Sequence, residues 1–379
     1  IDSAKSDELL AAAADALTGW VGPAYENLIA VMTAQAETAT TDDGAWKLPD
    51  AEAYYAMRLK RMTTTDRSAA EIHQLGLDEV ARIHGEMRDI MTKVGFEGTL
   101  KEFFEFMRTD PQFYLPNTAE GREEYLSEAR RQIELMKVDL PSVFNTFPKA
   151  DMIVKAVEPF REKSAGKAFY SRPAPDGSRP GTYYANLYRM QDMPTYQLQA
   201  LAFHEGIPGH HMQIAIAQEL GDTLPALRRI LVHASYIEGW AKYSEMLPWR
   251  EGYNTNRHWH VSRMRSEMIS TANLALDTGI HYFGWSREQG INFMMKETAS
   301  SQDFAEMIVD RITAVPAQTC AYKIGMNMVV GLRDQIEAQQ GQDFDIKQFH
   351  DLVLDNGSMP LSLLSSHVRG AIEGAQGAS

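Results

Sequence analysis

Leu201-Ala-Phe-His-Glu-Gly-Ile-Pro-Gly-His-His-Met-Gln213 is the stretch on which the reading of this chain turns. Histidine is the commonest protein ligand of zinc, and a metal hydrolase needs two of them on nearby turns plus a carboxylate base. In the common helical arrangement the two histidines stand four apart, with a glutamate directly after the first. His204 and Glu205 supply the first half, but Pro208 occupies the fourth place, and His210 and His211 follow six and seven residues on. On an unbroken helix His211 shares a face with His204 but lies about 10.5 Å along the axis. Two histidines that far apart cannot both reach one ion at about 2.0–2.1 Å. Pro208-Gly209 is a helix-breaking pair that can bring a later histidine back. Read as the common motif with two residues inserted, the second ligand is His210, with His211 as the alternative. The plainer reading is a solvated helix end with chance histidines. Three of the chain's 11 histidines within eight positions argue against it.

A third ligand is sought on a neighbouring helix. Ser235-Tyr-Ile-Glu-Gly-Trp-Ala-Lys-Tyr-Ser-Glu245 offers Glu238 and Glu245, seven apart and on one helix face. Glu238 sits among Ile237, Gly239 and Trp240, where an unpaired carboxylate is costly, so cation binding explains it better than a surface ion pair does. Glu245 reads more simply as a surface salt bridge.

Outward from this stretch the chain is mostly α. Apolar spacing predicts helices over 7–36, with Pro23 as a kink or break, then 51–63, 68–94, 99–108 and 119–138. Ser68 with Glu71 is a capping box. Helices resume at Pro194 and continue over 194–219, 223–247, 254–283, 287–296, 301–313, 317–339, 346–355 and 360–373. Between the two halves, 152–157, 167–171 and 181–188 read as strands of a small antiparallel sheet beside the His204 helix, with turn signals over 172–181. The expected division is a helical region over 1–150 and a catalytic region over 151–379, its sheet within 151–190, or else one continuous domain.

Composition narrows the function. The formal net charge is −14 with no basic stripe, which argues against nucleic-acid binding. No apolar run is long enough to span a membrane. The single cysteine, Cys320, excludes an internal disulfide and any multi-cysteine metal site, and reads as a small buried apolar residue. The chain opens at Ile1 inside a polar, helical-looking stretch without a signal peptide, and reads as a processed or trimmed product. Periplasm or cell envelope is the first expectation for its location, cytoplasm the second.

The strings HEGIPGHHMQ, IEGWAKYSE, LDTGIHYFGWS and AYKIG, in that order, resemble the bacterial domain-of-unknown-function 885 family. The likeness runs from about Tyr54 to Gly370, and the family is similar in fold to helical zinc peptidases such as Taq-type carboxypeptidase, thimet oligopeptidase and angiotensin-converting enzyme. The resemblance implies a zincin-like helical architecture holding Zn2+ on His204, His210 and Glu238, with Glu205 as general base. It further implies a histidine or tyrosine that stabilises an oxyanion, for which His281 and Tyr322 are the candidates. Their simpler readings are a helix-end histidine capping carbonyls and a core tyrosine. Lys323 is a candidate for a substrate carboxylate, or a surface cation. Arg179 and Asn186 are candidate substrate contacts, or turn chemistry and edge-strand solvation. The strand Gly181–Tyr188 could take an extended peptide as an added strand. The expected function is a zinc peptidase acting on short peptides. The alternatives are a zinc amidase or other hydrolase of a non-peptide substrate, and a metal-containing peptide-binding protein without turnover. Ala317 departs from the family pattern, which has glycine there.

Overall fold

The computed structural model describes residues 1–379 except 226, 229, 230, 254–256, 299 and 377–379. The chain forms two compact units, Ile1–Asp43 and Gly44–Ser379, so the division falls at 43/44 and not near residue 150. The reason is that one apolar core runs across residue 150, joining Tyr55, Tyr125 and Ile133 to Tyr183, Phe203, Trp240, Leu332 and Val368.

The first unit holds helices α1 (Ser3–Ala16) and α2 (Gly22–Thr38), joined by one π turn over Leu17–Val21. Pro23 stands just after the π turn, a local widening of a continuous helical run at the place where a proline removes a helical N–H. No residue of either helix is buried.

The second unit opens with α3 (Ala51–Thr63), α4 (Ala69–Val94), α5 (Leu100–Thr109) and α6 (Ala119–Asp139). The Ser68–Glu71 capping box starts α4, and a second box of Thr99 and Glu102 starts α5. Strands β1 (Met152–Ala156), β2 (Ala168–Ser171) and β3 (Gly181–Ala185) follow. Then come α7 (Thr195–Glu205), α8 (His210–Glu219), α9 (Ala234–Arg250), α10 (Arg257–His281), α11 (Arg287–Thr298), α12 (Gln302–Ala314), α13 (Cys320–Gln340), α14 (Ile346–Leu354) and α15 (Leu361–Gln376). Of the helix expected over 223–247, residues 227–228 are helical and a long helix runs from Ala234, while 226, 229 and 230 lie outside the described residues; the helix expected over 194–219 is split in two. Helix α4 packs along α10, where Gly76 meets the backbone of Ala275, and α9 packs along α13.

The sheet is mixed, not antiparallel, with order β1-β3-β2. β3 runs parallel to β1 and antiparallel to β2, Tyr183 standing opposite both Val154 and Tyr170. The chain reverses twice between β1 and β3, so these two are parallel once they become neighbours, and residue alternation carries no information about neighbour order. A consequence follows for recognition. β3 is the central strand with both edges already paired, so the expected addition of a peptide to Gly181–Tyr188 has no free edge to use there.

Candidate metal centre

Helix α7 ends at Glu205 and α8 begins at His210, with Gly206 and Gly209 in non-helical conformations (ψ −119° and −127°) and a cis Ile207–Pro208 bond between them. Only glycine fits at the second position: a Cβ on Gly209 would lie 2.1 Å from the His204 carbonyl oxygen. The His211 amide donates to the Gly206 carbonyl at 3.1 Å, and the indole N–H of Trp240 donates to the Pro208 carbonyl at 2.9 Å, which ties the break to α9. The break folds His210 back over His204, with ring centroids 4.7 Å apart and nearly perpendicular.

Glu238, from α9, completes the group. Its Oε2 lies 3.5 Å from Nε2 of His204 and 3.5 Å from Nε2 of His210, and one donor atom from each of the three residues falls within 4.8 Å of the others. Zinc ligands at about 2.0–2.2 Å in tetrahedral array stand about 3.4 Å apart, so the observed spacing suits that ion. Two histidines and one glutamate leave a fourth position open, as catalytic zinc sites do. Three buried polar atoms here, Glu205 Oε2, His210 Nδ1 and Glu238 Oε2, have no hydrogen-bond partner among the described residues. Buried polar atoms left without partners are costly, and a cation would relieve that cost at Glu238.

The electrostatics of the group agree. Burial opposes a charge on His204, but the carboxylates of Glu238, 3.5 Å away, and of Glu245, hydrogen-bonded to it, outweigh burial and raise its pKa to about 10. Burial likewise opposes the Glu238 carboxylate, yet His204 and His210 hold its pKa well below the ordinary range. Burial lifts the pKa of Glu205, whose side chain belongs to the same charged group.

Glu245 has a larger part than its sequence reading gave it. It is buried, and its Oε1 lies 2.8 Å from Nδ1 of His204. If a cation takes the place of the Nε2 proton, His204 keeps Nδ1–H donated to Glu245 and turns the lone pair of Nε2 toward His210 and Glu238. Lys242 holds Glu245 in turn, at 3.0 Å, while donating to the backbone carbonyl and hydroxyl of Ser266. The seven-residue interval from Glu238 was the available signal. Tyr183 was also missed: it is fully buried on β3, and its phenol is held protonated by burial and by the neighbouring Tyr125 and Glu205. The aromatic strand was visible in sequence, its proximity to Glu205 was not.

Tyr322 stands beside the group, its ring nearly parallel to that of His204 with centroids 6.5 Å apart. Burial and the Glu238 charge raise its pKa, so its hydroxyl stays a proton donor. The other candidates lie elsewhere. His211 gives both ring nitrogens away: Nδ1 to the Tyr170 hydroxyl at 2.9 Å and Nε2 to the Ala150 carbonyl at 3.0 Å. It pins α8 to the sheet, and of the two histidines His210 is the one that lies beside His204 and Glu238. His281 accepts from the Ala45 amide at 3.0 Å and donates to the Ile312 carbonyl at 2.9 Å, which leaves it no proton for an oxyanion. Lys323 is neither a surface cation nor a substrate contact: it is buried between Glu267 at 2.7 Å and Glu79 at 2.9 Å. The Asn186 amide donates to the carbonyls of Glu162, Ala165 and Gly166, closing the turn before β2. Arg179 is exposed and reaches only Ser171, at 3.4 Å.

The fold and this donor group define a mostly helical protein with two buried histidines and a partly buried glutamate clustered beside the buried Glu205. The chain belongs to the family described as "Bacterial protein of unknown function (DUF885)", whose model matches residues 1–368. Among solved structures it is similar to "the putative lipoprotein from Colwellia psychrerythraea", at 34% identity over 99% of this chain with a TM-score of 0.93. It shares its fold with "a putative lipoprotein of unknown function from Shewanella oneidensis", at 23% identity over 91% of this chain with a TM-score of 0.73. The chain spans 64% of the length of each of those two proteins. No curated protein matches it.

Proposed function

We propose that this chain is a zinc-dependent hydrolase of zincin-like helical architecture, acting on short peptides. The observation that carries the reading is the spacing of His204, His210 and Glu238 donor atoms, 3.5 Å from each histidine to the glutamate, with Glu205 next to them and free of hydrogen bonds among the described residues. Zinc, when bound there, supplies a Lewis acid and makes water acidic at neutral pH. Glu205 is placed to take a proton from the attacking water and to pass it to the leaving amine, and its raised pKa suits that exchange. Tyr322 is placed to donate its hydroxyl proton to the developing oxyanion. Glu245 holds His204 in the required tautomer.

Short peptides are favoured as substrates over proteins because His204, His210 and Glu205 are all buried, so a bound chain has to enter past the surface. Similarity to two proteins described as putative lipoproteins supports a place in the cell envelope, and no helix among the described residues is long and apolar enough to cross a membrane. Digestion of a peptide library with and without a chelator, read by mass spectrometry, tests the proposal. Chelator-sensitive cleavage is expected. Peptides left intact by fully zinc-loaded protein would reject peptidase activity and point to a non-peptide amide or to binding without turnover.

A further inference from the structure

We propose that the cavity between the start of α7, the residue before β2, α10 and the start of α12 binds the oxyanion group, carboxylate or phosphate, of a small molecule. It encloses about 260 Å³ and is lined by four cations, Arg108, Lys167, Arg189 and Arg265, against two carboxylates, Asp192 and Asp303. This local excess of positive charge stands out in a chain whose net charge is −14.

The two carboxylates are already engaged. Arg189 lies 3.2 Å from Asp192 and 3.1 Å from Asp303, and Arg108 pairs with Glu105. Lys167 and Arg265 are what remains. Lys167 meets only neutral groups at close range, the Gln197 amide oxygen at 3.4 Å and the face of Phe304 at 4.8 Å. Arg265 makes no hydrogen bond or ion pair among the described residues, and its Nη1 is buried without a partner. Burial and the charge of Arg265 lower the Lys167 pKa to about 7, with Asp192 acting the other way. Two partly buried cations that pair with no carboxylate among the described residues are destabilising, and removing that penalty is what an oxyanion would do. A planar guanidinium takes a carboxylate or phosphate through two parallel N–H bonds, and the ammonium adds a third donor.

The remainder of the ligand also has room. A second cavity of about 250 Å³ shares Lys167, Arg189, Asp192, Asp303 and Phe304 with the first, and adds both apolar side chains, Met193 and Met307, and charged ones, Glu162 and Lys163. The site is separate in its residues from the His-His-Glu group. Gln197 stands seven residues before His204 on α7, about 10 Å along the helix.

Isothermal titration calorimetry of the full chain with inorganic phosphate, and separately with glutarate, tests this inference and distinguishes the two oxyanions. Saturable binding of at least one is expected, weakened tenfold or more in both Lys167→Met and Arg265→Met. Arg265→Lys should fall between, and Arg179→Met, which removes an exposed cation outside the cavity, should bind like the parent. Absence of binding for both anions overturns the proposal. So does binding that survives unchanged in Lys167→Met and Arg265→Met, since the anion would then sit elsewhere, including at the candidate metal centre. An equal loss in Arg179→Met also overturns it, because net charge alone would account for the effect. Melting temperatures without anion identify any variant that fails to fold, and Lys167→Met, at the cavity edge, carries the test if Arg265→Met does.

Discussion

Gly239 on α9 and Gly325 on α13 meet backbone to backbone: a Cβ on Gly325 would stand 1.8 Å from the Ser235 carbonyl oxygen and 2.8 Å from the Gly239 Cα. This crossing brings Tyr322, one turn before Gly325, beside Glu238, one residue before Gly239. Gly325→Ala is therefore expected to force the helices apart and to destabilise by about 3 kcal/mol, at the upper end for overpacking because the obstacle is backbone. Thermal melting measures the loss. A melting temperature equal to the parent's would contradict the described contact.

Metal content tests the ligand set. Protein purified without chelator should hold about one zinc per chain, and His204→Ala, His210→Ala and Glu238→Ala should each lose it. His211→Ala should keep its zinc but melt earlier, since it leaves the Ala150 carbonyl and Tyr170 hydroxyl without their partner. Elemental analysis of the four variants decides the assignment, and full zinc in His210→Ala would overturn it. Glu245→Ala should lower zinc affinity by about 10–100-fold rather than abolish binding.

Chemistry is separated from binding by Glu205→Gln. Zinc should remain while turnover falls by about 10²–10⁴. Hydrolysis at the parental rate would remove Glu205 from the role of base.

Tyr322→Phe and His281→Ala should behave oppositely. The first should reduce kcat by about 10²–10³ with zinc content and melting temperature little changed. The second should leave kcat near normal in folded protein but cost about 1–3 kcal/mol for each backbone group it strands, Ala45 N–H and Ile312 C=O. Measuring kcat and melting on the same preparations reads both.

Acid should weaken the fold through His350. Its ring is fully buried, with Nδ1 donating to the Val143 carbonyl at 2.7 Å and Nε2 against the Tyr243 hydroxyl at 2.8 Å. Burial and Arg333 lower its pKa from 6.5 to about 3. The unfolded chain thus binds this proton below pH 6.5 while the folded one does not, so the contribution is whole above pH 6.5 and is lost as pH falls toward 3. The expected slope is up to about 1.4 kcal/mol per pH unit. Denaturant unfolding at pH 7, 6 and 5 should show a shallower decline in His350→Gln than in the parent.

The helical class, the Ser68 cap and the return of His210 toward His204 were legible because they depend on short-range spacing, and Glu238 because a carboxylate among Ile237, Gly239 and Trp240 needs a partner. Neighbour order in the sheet was not, because β1 and β3 meet only after the chain has reversed twice. His281 and Lys323 misled for a related reason. A histidine at a helix end or a lysine beside a tyrosine looks available for chemistry until the distant partners that occupy it, Ala45 and Ile312 or Glu79 and Glu267, are in place. Ala317 was noticed as a departure from glycine, and its φ of 68° explains why glycine suits that position: its amide turns to donate to the buried Asp277 carboxylate at 2.9 Å.

The interrupted helix between Glu205 and His210 also bears on how such proteins are found. A pattern search keyed to two histidines four apart passes over this chain, because the geometry it stands for is produced here by Gly206-Ile-Pro-Gly209 and six positions of separation. The transferable signature is a His-Glu pair, a turn whose second glycine cannot carry a side chain, and a histidine at the first position of the next helix. Chains with that signature, and with a glutamate pair seven apart further along, belong in the same inventory as the four-spaced motif, however different the two strings look in an alignment.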